Sequence, residues 1–520
     1  MLSLAQTLTR AVQINGNHLA TTCNNREHTW AEVANRVARM GSWLANHGVS
    51  SDSRVAILGL NSDRYYELFF SPPWAGGISV PINTRLALPE IVYWLTDSAS
   101  QVLFIDDDFL KFLPEIRQQV PAIEHVVYMG EGEVPEGLFG YEQAIAESTP
   151  MPAADRHGDD IAGLYYTGGT TGRSKGVMLS HNNLLFNSLQ SLSLLKYDIG
   201  DMYMNAAPMF HIAGSLNVMI FTTIAGSNCF VPSFDPEVVM GLIEKHQVKR
   251  TLLVPTMINM VVNHPNVGNY DLSSMKTIIY GASPMPEAVI TKAMEILPGT
   301  GFFQAFGQTE ASPVLTMLPP EYHVTTGPNA SKLKAAGRAV PGVTVAILDE
   351  NDQELPRGTV GQICAKGGNV MVRYQGMPEV TAETKRNGWL HTGDGGYMDE
   401  DGFLFVVDRI KDMIISGGEN VYSVEVENAI FQHSNVAECA VIGIPHAKWG
   451  EQVHAIVYLK EAQQTSEQEI IDHCKQLIAT FKCPRSVTLR TEPLPLSGAG
   501  KILKKDLRSP YWEGQGKQVH

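Results

Sequence analysis

Residues 165–181 read YYTGGTTGRSKGVMLSH, four glycines with several threonines and serines and one lysine between two apolar segments. A loop that cradles an anion needs backbone N–H groups turned one way and glycines that let the chain come close. It also needs hydroxyls as extra donors and a cation to answer the charge. Thr167, Gly168, Gly169, Thr170, Thr171, Gly172 and Lys175 supply all four. The apolar run IAGLYYT directly before it places the loop at the carboxyl end of a strand, and a plain glycine-rich turn joining strand to helix is the alternative to an anion cradle. Open α/β sheets bind their ligands at this edge. The loop is not a Walker loop, which requires Ser or Thr after its lysine, because Gly176 follows Lys175.

Moving outward, short apolar runs alternate with helical patterns: RVAILGL before SDRYYELFF, RTLLVP before TMINMVVNH, MKTIIYGA before MPEAVITKAMEIL. This alternation predicts βα units and parallel-rich sheets flanked by helices. After about residue 330 the texture changes. AAGRAVPGVTVAILDENDQELPRGTVGQICAKG reads as short antiparallel strands with acidic and Gly/Pro turns. A compact α+β unit follows from Val406, with a helix near VEVENAI, strands in ECAVIGIP and VHAIVYLK, and a second helix opened by a capping box from Ser466 to Glu469.

The 520 residues are too many for one ordinary core, and 44% hydrophobic content is enough to fill more than one. A formal charge of −15, from 54 acidic against 39 basic residues without long runs, argues against nucleic acid as a partner. Cys23, Cys229, Cys364, Cys439, Cys474 and Cys483 lie far apart with no CxxC pair, which predicts buried thiols in a reducing compartment. MLSLAQTLTRAVQ has no secretory signal pattern, and the apolar stretch Leu68–Asn83 is broken by prolines and glycines. A cytoplasmic protein without an integral membrane segment is expected.

Four more stretches accompany YTGGTTGRSKGV in order: APMFHIAG (207–214), FGQTE (306–310), HTGDGGYMDEDGFLFVVDRIKDMIISGGENVYSVEVE (391–427) and PLSGAGK (495–501). GISVPINTRL near residue 80 fits the same pattern. Together they span essentially the whole chain, which resembles the adenylate-forming superfamily of acyl-CoA synthetases, peptide-synthetase adenylation domains and luciferases. Its nearest likeness is to bacterial fatty acyl-CoA synthetases. The family loop usually reads YTSGTTGxPKG, so Gly168 and Ser174 depart from it by one hydroxyl and one proline.

The resemblance implies an α/β fold in two parts. A large AMP-binding domain (1–408) has parallel-rich sheets and a distorted β-barrel subdomain, and a small mobile α+β domain (409–520) turns on a hinge near Lys411. It implies ATP and Mg²⁺, with CoA as co-substrate. Thr309 would contact the α-phosphate, and Glu310 with Thr167 the metal. Phe306 and Gly307, with Gly281, Ala282 and Ser283 of the YGAS loop, would form the adenine slot. Asp394 would accept from the ribose hydroxyls, and Arg409 would support the nucleotide. Lys501 is the implied adenylation lysine. Gly417, Gly418 and Trp449 would line the pantetheine tunnel, with Phe481, Lys482 and Arg485 receiving the CoA nucleotide. Lys504 and Lys505 read as solubilising.

On general grounds a histidine beside Met209, Phe210 and Ile212 is a packed core residue; the resemblance makes His211 a gate near the acyl carboxylate, without a proton-transfer role. The acyl pocket is expected from 216–224, the YGAS loop and Ala311, Ser312 and Pro313. It shows no obvious cation, which favours an apolar monocarboxylic acid, a fatty acid first. An aryl or short sulfur-containing acid, loading of a carrier protein and a homodimer are the alternatives kept; the sequence shows no carrier domain and no feature that marks luciferase-like oxygen chemistry, and Thr309, Glu310, Asp394, Arg409 and Lys501 together argue against a non-catalytic nucleotide-binding module.

Overall fold

The computed structural model describes residues 2–167, 174–283, 285–410, 412–416, 419–446, 448–460, 463–497 and 502–513. Strands Ser227–Phe230, Met202–Asn205, Arg250–Leu252, Thr277–Gly281 and Gly301–Gly307 lie side by side and parallel. The antiparallel strands Val314–Leu318 and Arg338–Ala339 extend the sheet past Gly301–Gly307. A second sheet runs parallel from Ile161–Thr167 through Ile78–Pro81, Arg54–Leu58 and Val102–Ile105 to His125–Tyr128. The βα alternation is thus expressed as two parallel-rich sheets.

Helix Ile212–Thr223 has ten of its twelve residues buried, as an all-round apolar helix must. It packs against helices Leu4–Asn15 and His181–Leu194. The Leu4 N–H donates to His181 Nδ1 at 3.1 Å, tying the first helix to the third of these.

The glycine-rich loop corrects one expectation. Thr167 pairs with Lys175 across antiparallel strands Ile161–Thr167 and Lys175–Ser180, so the loop closes a hairpin rather than opening a helix. Val177, Met178 and Leu179 are all buried, which makes KGVMLS an interior strand. The helix starts only at His181, where Ser180 and Asn183 form a capping box. The cap, not the glycines, marks the helix start.

Strands Val343–Leu348, Gly361–Gly367, Leu390–Met398 and Leu404–Arg409 form the antiparallel sheet read from the Gly/Pro-rich segment. The small C-terminal domain is built on strands Val436–His446 and Gly450–Leu459. Alternate residues of Val436–His446 face opposite ways. Cys439 and Val441 join a core with helices Ser423–Phe431 and Glu467–Leu477, whereas Ala440, Ile442 and Ile444 pack on helix Lys504–Trp512. The first of these cores draws only on residues between Ile414 and Val487, so this domain has an interior of its own. The capping box read at Ser466 is present, with Glu469 N–H donating to Ser466 Oγ at 3.2 Å.

All six cysteines are free and buried. Burial pushes the thiols up, Cys23 to about 11 and Cys364 to about 12, which keeps them protonated and unreactive. Among the described residues no helix is long and apolar enough to cross a membrane.

Candidate nucleotide and acyl site

The adenine-slot expectation falls on two strand ends that touch backbone to backbone. A Cβ added at Gly281 would lie 2.1 Å from Ala305 O, and one at Gly307 would lie 1.8 Å from Pro313 O. Only glycine permits these approaches. Ala282 follows in the left-handed region, at φ 68°, turning the chain before Ser283. Phe306 is half-buried and packs against the cluster that holds Leu216, Ile220 and Ala311.

Thr309 and Glu310 sit in the short turn Thr309–Ala311, each 8% exposed. The Tyr374 hydroxyl donates to Glu310 Oε1 at 2.7 Å, and Met371 N–H donates to Glu310 O at 2.8 Å. Lys175 Nζ lies 4.7 Å from the Tyr374 ring centroid. Burial and the neighbouring Glu310 carboxylate push the phenol well up, so it remains a donor. Lys175, Tyr374 and Glu310 therefore form one unit, a cation against a ring whose hydroxyl steadies a buried carboxylate. No sequence motif marks Tyr374. Its strand Arg373–Tyr374 is two residues long and pairs with Val177 and Met178, a contact that no local pattern announces.

Asp394 and Arg409 face each other across strands Leu390–Met398 and Leu404–Arg409, with Nε 2.8 Å from Oδ1. Asp394 is 6% exposed and its N–H donates to Thr392 Oγ1. Asp399 Oδ1 accepts from the Asp401 and Phe403 N–H groups, a side chain closing its own turn.

His211 caps helix Ile212–Thr223, its Nδ1 accepting from Ala213 N–H at 3.3 Å. That bond fixes the ring against the helix. Ala213, Leu216, Ile220 and Ile224 of this segment join Ala305, Phe306 and Ala311 in one apolar cluster.

In the small domain the Arg485 guanidinium lies 4.7 Å from the Trp449 ring and Lys448 Nζ 4.6 Å from it. Phe481 is exposed, while Lys482 pairs with Glu425 at 2.7 Å. Lys504 corrects a second expectation. It is no solvated tail lysine: its side chain is 17% exposed and Nζ sits 2.7 Å from Glu427 Oε1. Gly168, Gly169, Thr170, Thr171, Gly172, Lys411, Gly417, Gly418 and Lys501 lie outside the described residues.

No cluster of three or more His, Cys, Asp or Glu able to hold a metal occurs among the described residues. The one buried Glu310 carboxylate and the Thr167 hydroxyl suit Mg²⁺ held mostly by phosphates and water, which is how that ion is usually bound beside nucleotides. They do not suit a protein-caged metal.

Strand ends crowded at glycines, a buried carboxylate tied to Lys175 through Tyr374, and a small domain with its own core are what the adenylate-forming resemblance leads one to expect. Residues 8–375 match the AMP-binding enzyme family and residues 425–501 the AMP-binding enzyme C-terminal domain; the chain belongs to this family. It is an AMP-binding ligase of the acyl-CoA synthetase kind, for which ATP and CoA are the fitting substrates.

A feruloyl-CoA synthase of Amycolatopsis sp is 37% identical over 93% of this chain and 94% of its own. A fatty acid–[acyl-carrier-protein] ligase of Streptomyces coeruleorubidus is 34% identical, covering 99% and 98%. A long-chain-fatty-acid–CoA ligase of Mycobacterium tuberculosis is 34% identical over 93% of each. Among solved structures, an anthranilate CoA ligase in complex with anthranoyl-AMP superposes with TM-score 0.91 at 28% identity, covering 99% and 98%.

Proposed function

We propose that the protein activates an apolar-bodied monocarboxylic acid, a fatty acid in the first instance, and passes the acyl group to CoA. The carboxylate oxygen forms a bond to the α-phosphorus of ATP as the bond to the β-phosphate bridge breaks, giving acyl-AMP and pyrophosphate. The CoA thiol sulfur then attacks the acyl carbon, its proton passes to solvent, and AMP leaves. The observation that carries this reading is the Lys175–Tyr374–Glu310 unit, found in one chain with an apolar helix capped by His211.

In the first step two anions must meet, so preorganised positive charge lowers the barrier. Lys175 and the loop amides would hold the phosphates and Thr309 would donate to the α-phosphate. Glu310 and Thr167 would hold Mg²⁺, which supplies charge neutralisation when bound. Asp394 would accept from the ribose hydroxyls, with Arg409 Nε paired to it at 2.8 Å. Lys501 would contact the attacking carboxylate. The small domain, taken as 409–520, would turn about Lys411 to withdraw Lys501 and bring in Gly417, Gly418 and Trp449 for CoA. His211, with Nδ1 engaged by its own helix, would act as a gate and not as a base.

One buried side chain favours a second reading. Asn217, 1% exposed in the same helix, donates from Nδ2 to Ala213 O at 2.8 Å, and its Oδ1 has no hydrogen-bond partner among the described residues. An acid carrying a hydroxyl donor, such as a hydroxyaryl acid, would satisfy that oxygen.

ATP–pyrophosphate exchange over octanoate, palmitate, benzoate and ferulate, with and without CoA while AMP is followed, tests both. Exchange with octanoate or palmitate and CoA-dependent AMP release are expected. Exchange confined to ferulate would transfer the assignment to the second reading, and no exchange with any acid would remove the activity altogether.

A further inference from the structure

A lysine is poorly placed at the first position of a helix, where the peptide dipoles already present partial positive charge. Lys504 nonetheless opens helix Lys504–Trp512. Its ammonium meets Glu427 Oε1 at 2.7 Å and donates to Ser423 Oγ. Ser423 in turn donates from both N and Oγ to Asp408 Oδ2, each at 2.6 Å. Burial works against charge on Lys504, but Glu427 and Asp408 outweigh it and hold the amine above the ordinary lysine range. Burial also pushes the Glu427 carboxyl up, with the Lys504 ammonium working against that rise.

Its place in the fold is specific. Helices Ser423–Phe431 and Lys504–Trp512 cover opposite faces of the small sheet, and strand Val436–His446 is that sheet's outer strand. Glu427 Oε1 also accepts the Val441 N–H of this strand at 2.8 Å, so Lys504 reaches round the sheet edge to a carboxylate seated on it. Just upstream, Leu496 and Ile502 form an antiparallel bridge and Leu503 N–H donates to Pro495 O at 2.9 Å. The stretches that flank residues 498–501 are thus pinned to each other, with Lys504 two residues past the bridge.

We propose that Lys504 is a positioning residue for Lys501: clamped to Glu427 and Ser423, it anchors the chain that follows Lys501 against the first helix of the small domain. The proposal rests on the reading of Lys501 given above. Lys504 touches no reacting atom. Its effect is to fix the chain to which a catalytic lysine at 501 is attached, and a displacement of about 1 Å in such a group costs up to about 10²-fold in rate.

The test uses the full chain, with whichever of octanoate, palmitate, benzoate or ferulate exchanges fastest. Lys504→Met should lower pyrophosphate exchange by about 10- to 100-fold while thioester formation from supplied acyl-adenylate and CoA stays within about 2-fold. Lys504→Arg should regain most of the exchange. Should Lys504→Met fold poorly, the pair Lys504→Met with Glu427→Gln decides, because the amide oxygen still accepts the Val441 N–H and no unpaired buried carboxylate is left behind. That double variant should melt as the parent does and show the same one-sided loss. Undiminished exchange in the folded double variant, or equal loss in both half-reactions, overturns the proposal. Lys501→Ala is run alongside: retained exchange there removes the assigned role of Lys501 itself, a failure distinct from that of Lys504.

Discussion

Glu310 owes its orientation to a phenol 64 residues away. A hydrogen bond to a charged group contributes about 1.5–3 kcal/mol, so Tyr374→Phe should slow acyl-adenylate formation by about 10-fold or more, with the ring kept against Lys175. The measurement is single-turnover pyrophosphate release, with thermal melting as the control for folding; an unchanged rate would show that Glu310 needs no such support. Residues such as Thr309, Glu310 and Asp394 were legible in the sequence because each lies in a short motif. Tyr374 and Lys504 were not, because what they do is set by contacts between distant segments. Lys504 in particular looks like any charged tail residue until Glu427 is brought to it.

At the scale of elements, patterns that are local in the chain survived into the structure. The Ser466 capping box, the βα alternation and the antiparallel strands Val343–Leu348 and Gly361–Gly367 formed as their residues dictate. The hairpin at the glycine-rich loop did not follow from local pattern. An interior strand such as Lys175–Ser180 is apolar on both faces and shows no alternation to read. Where two strand ends crowd together, the requirement is steric. Gly307→Ala would drive a methyl group into Pro313 O, costing about 1–3 kcal/mol. A lower melting temperature and weakened nucleotide binding are expected, whereas Gly268→Ala, with nothing within 4 Å of the added atom, should melt as the parent does. Equal melting of the two variants would refute the crowding argument.

The whole molecule carries a pH dependence in its histidines. Burial holds His181 and His323 down to about 4 from an ordinary 6.5, and lowers His28 and His454 as well. His181 accepts the Leu4 N–H through Nδ1, and His323 Nε2 meets the Tyr280 hydroxyl at 2.9 Å. A histidine with a lowered folded-state pKa binds its proton more readily once unfolded. Its stabilising contribution is complete above pH 6.5 and is lost as pH falls from 6.5 towards 4. For a shift of this size the loss is about 3 kcal/mol per group. Urea unfolding between pH 7.5 and 4.5 should show stability falling with acidification, and more gently in His181→Gln than in the parent. Identical slopes would place the acid sensitivity elsewhere. None of this was visible in composition, since burial of an imidazole is a property of the assembled sheets.

The hairpin that ends in the glycine-rich loop separates what folds from what reacts. Its two strands are already zipped into the interior through Thr167 and Lys175, so the register is settled before residues 168–173 are consulted. Randomising those six positions should yield a library whose members nearly all assemble, and whose differences would surface in turnover alone. If the proposed phosphate role holds, triphosphate affinity is what such a library would vary, with the scaffold left alone.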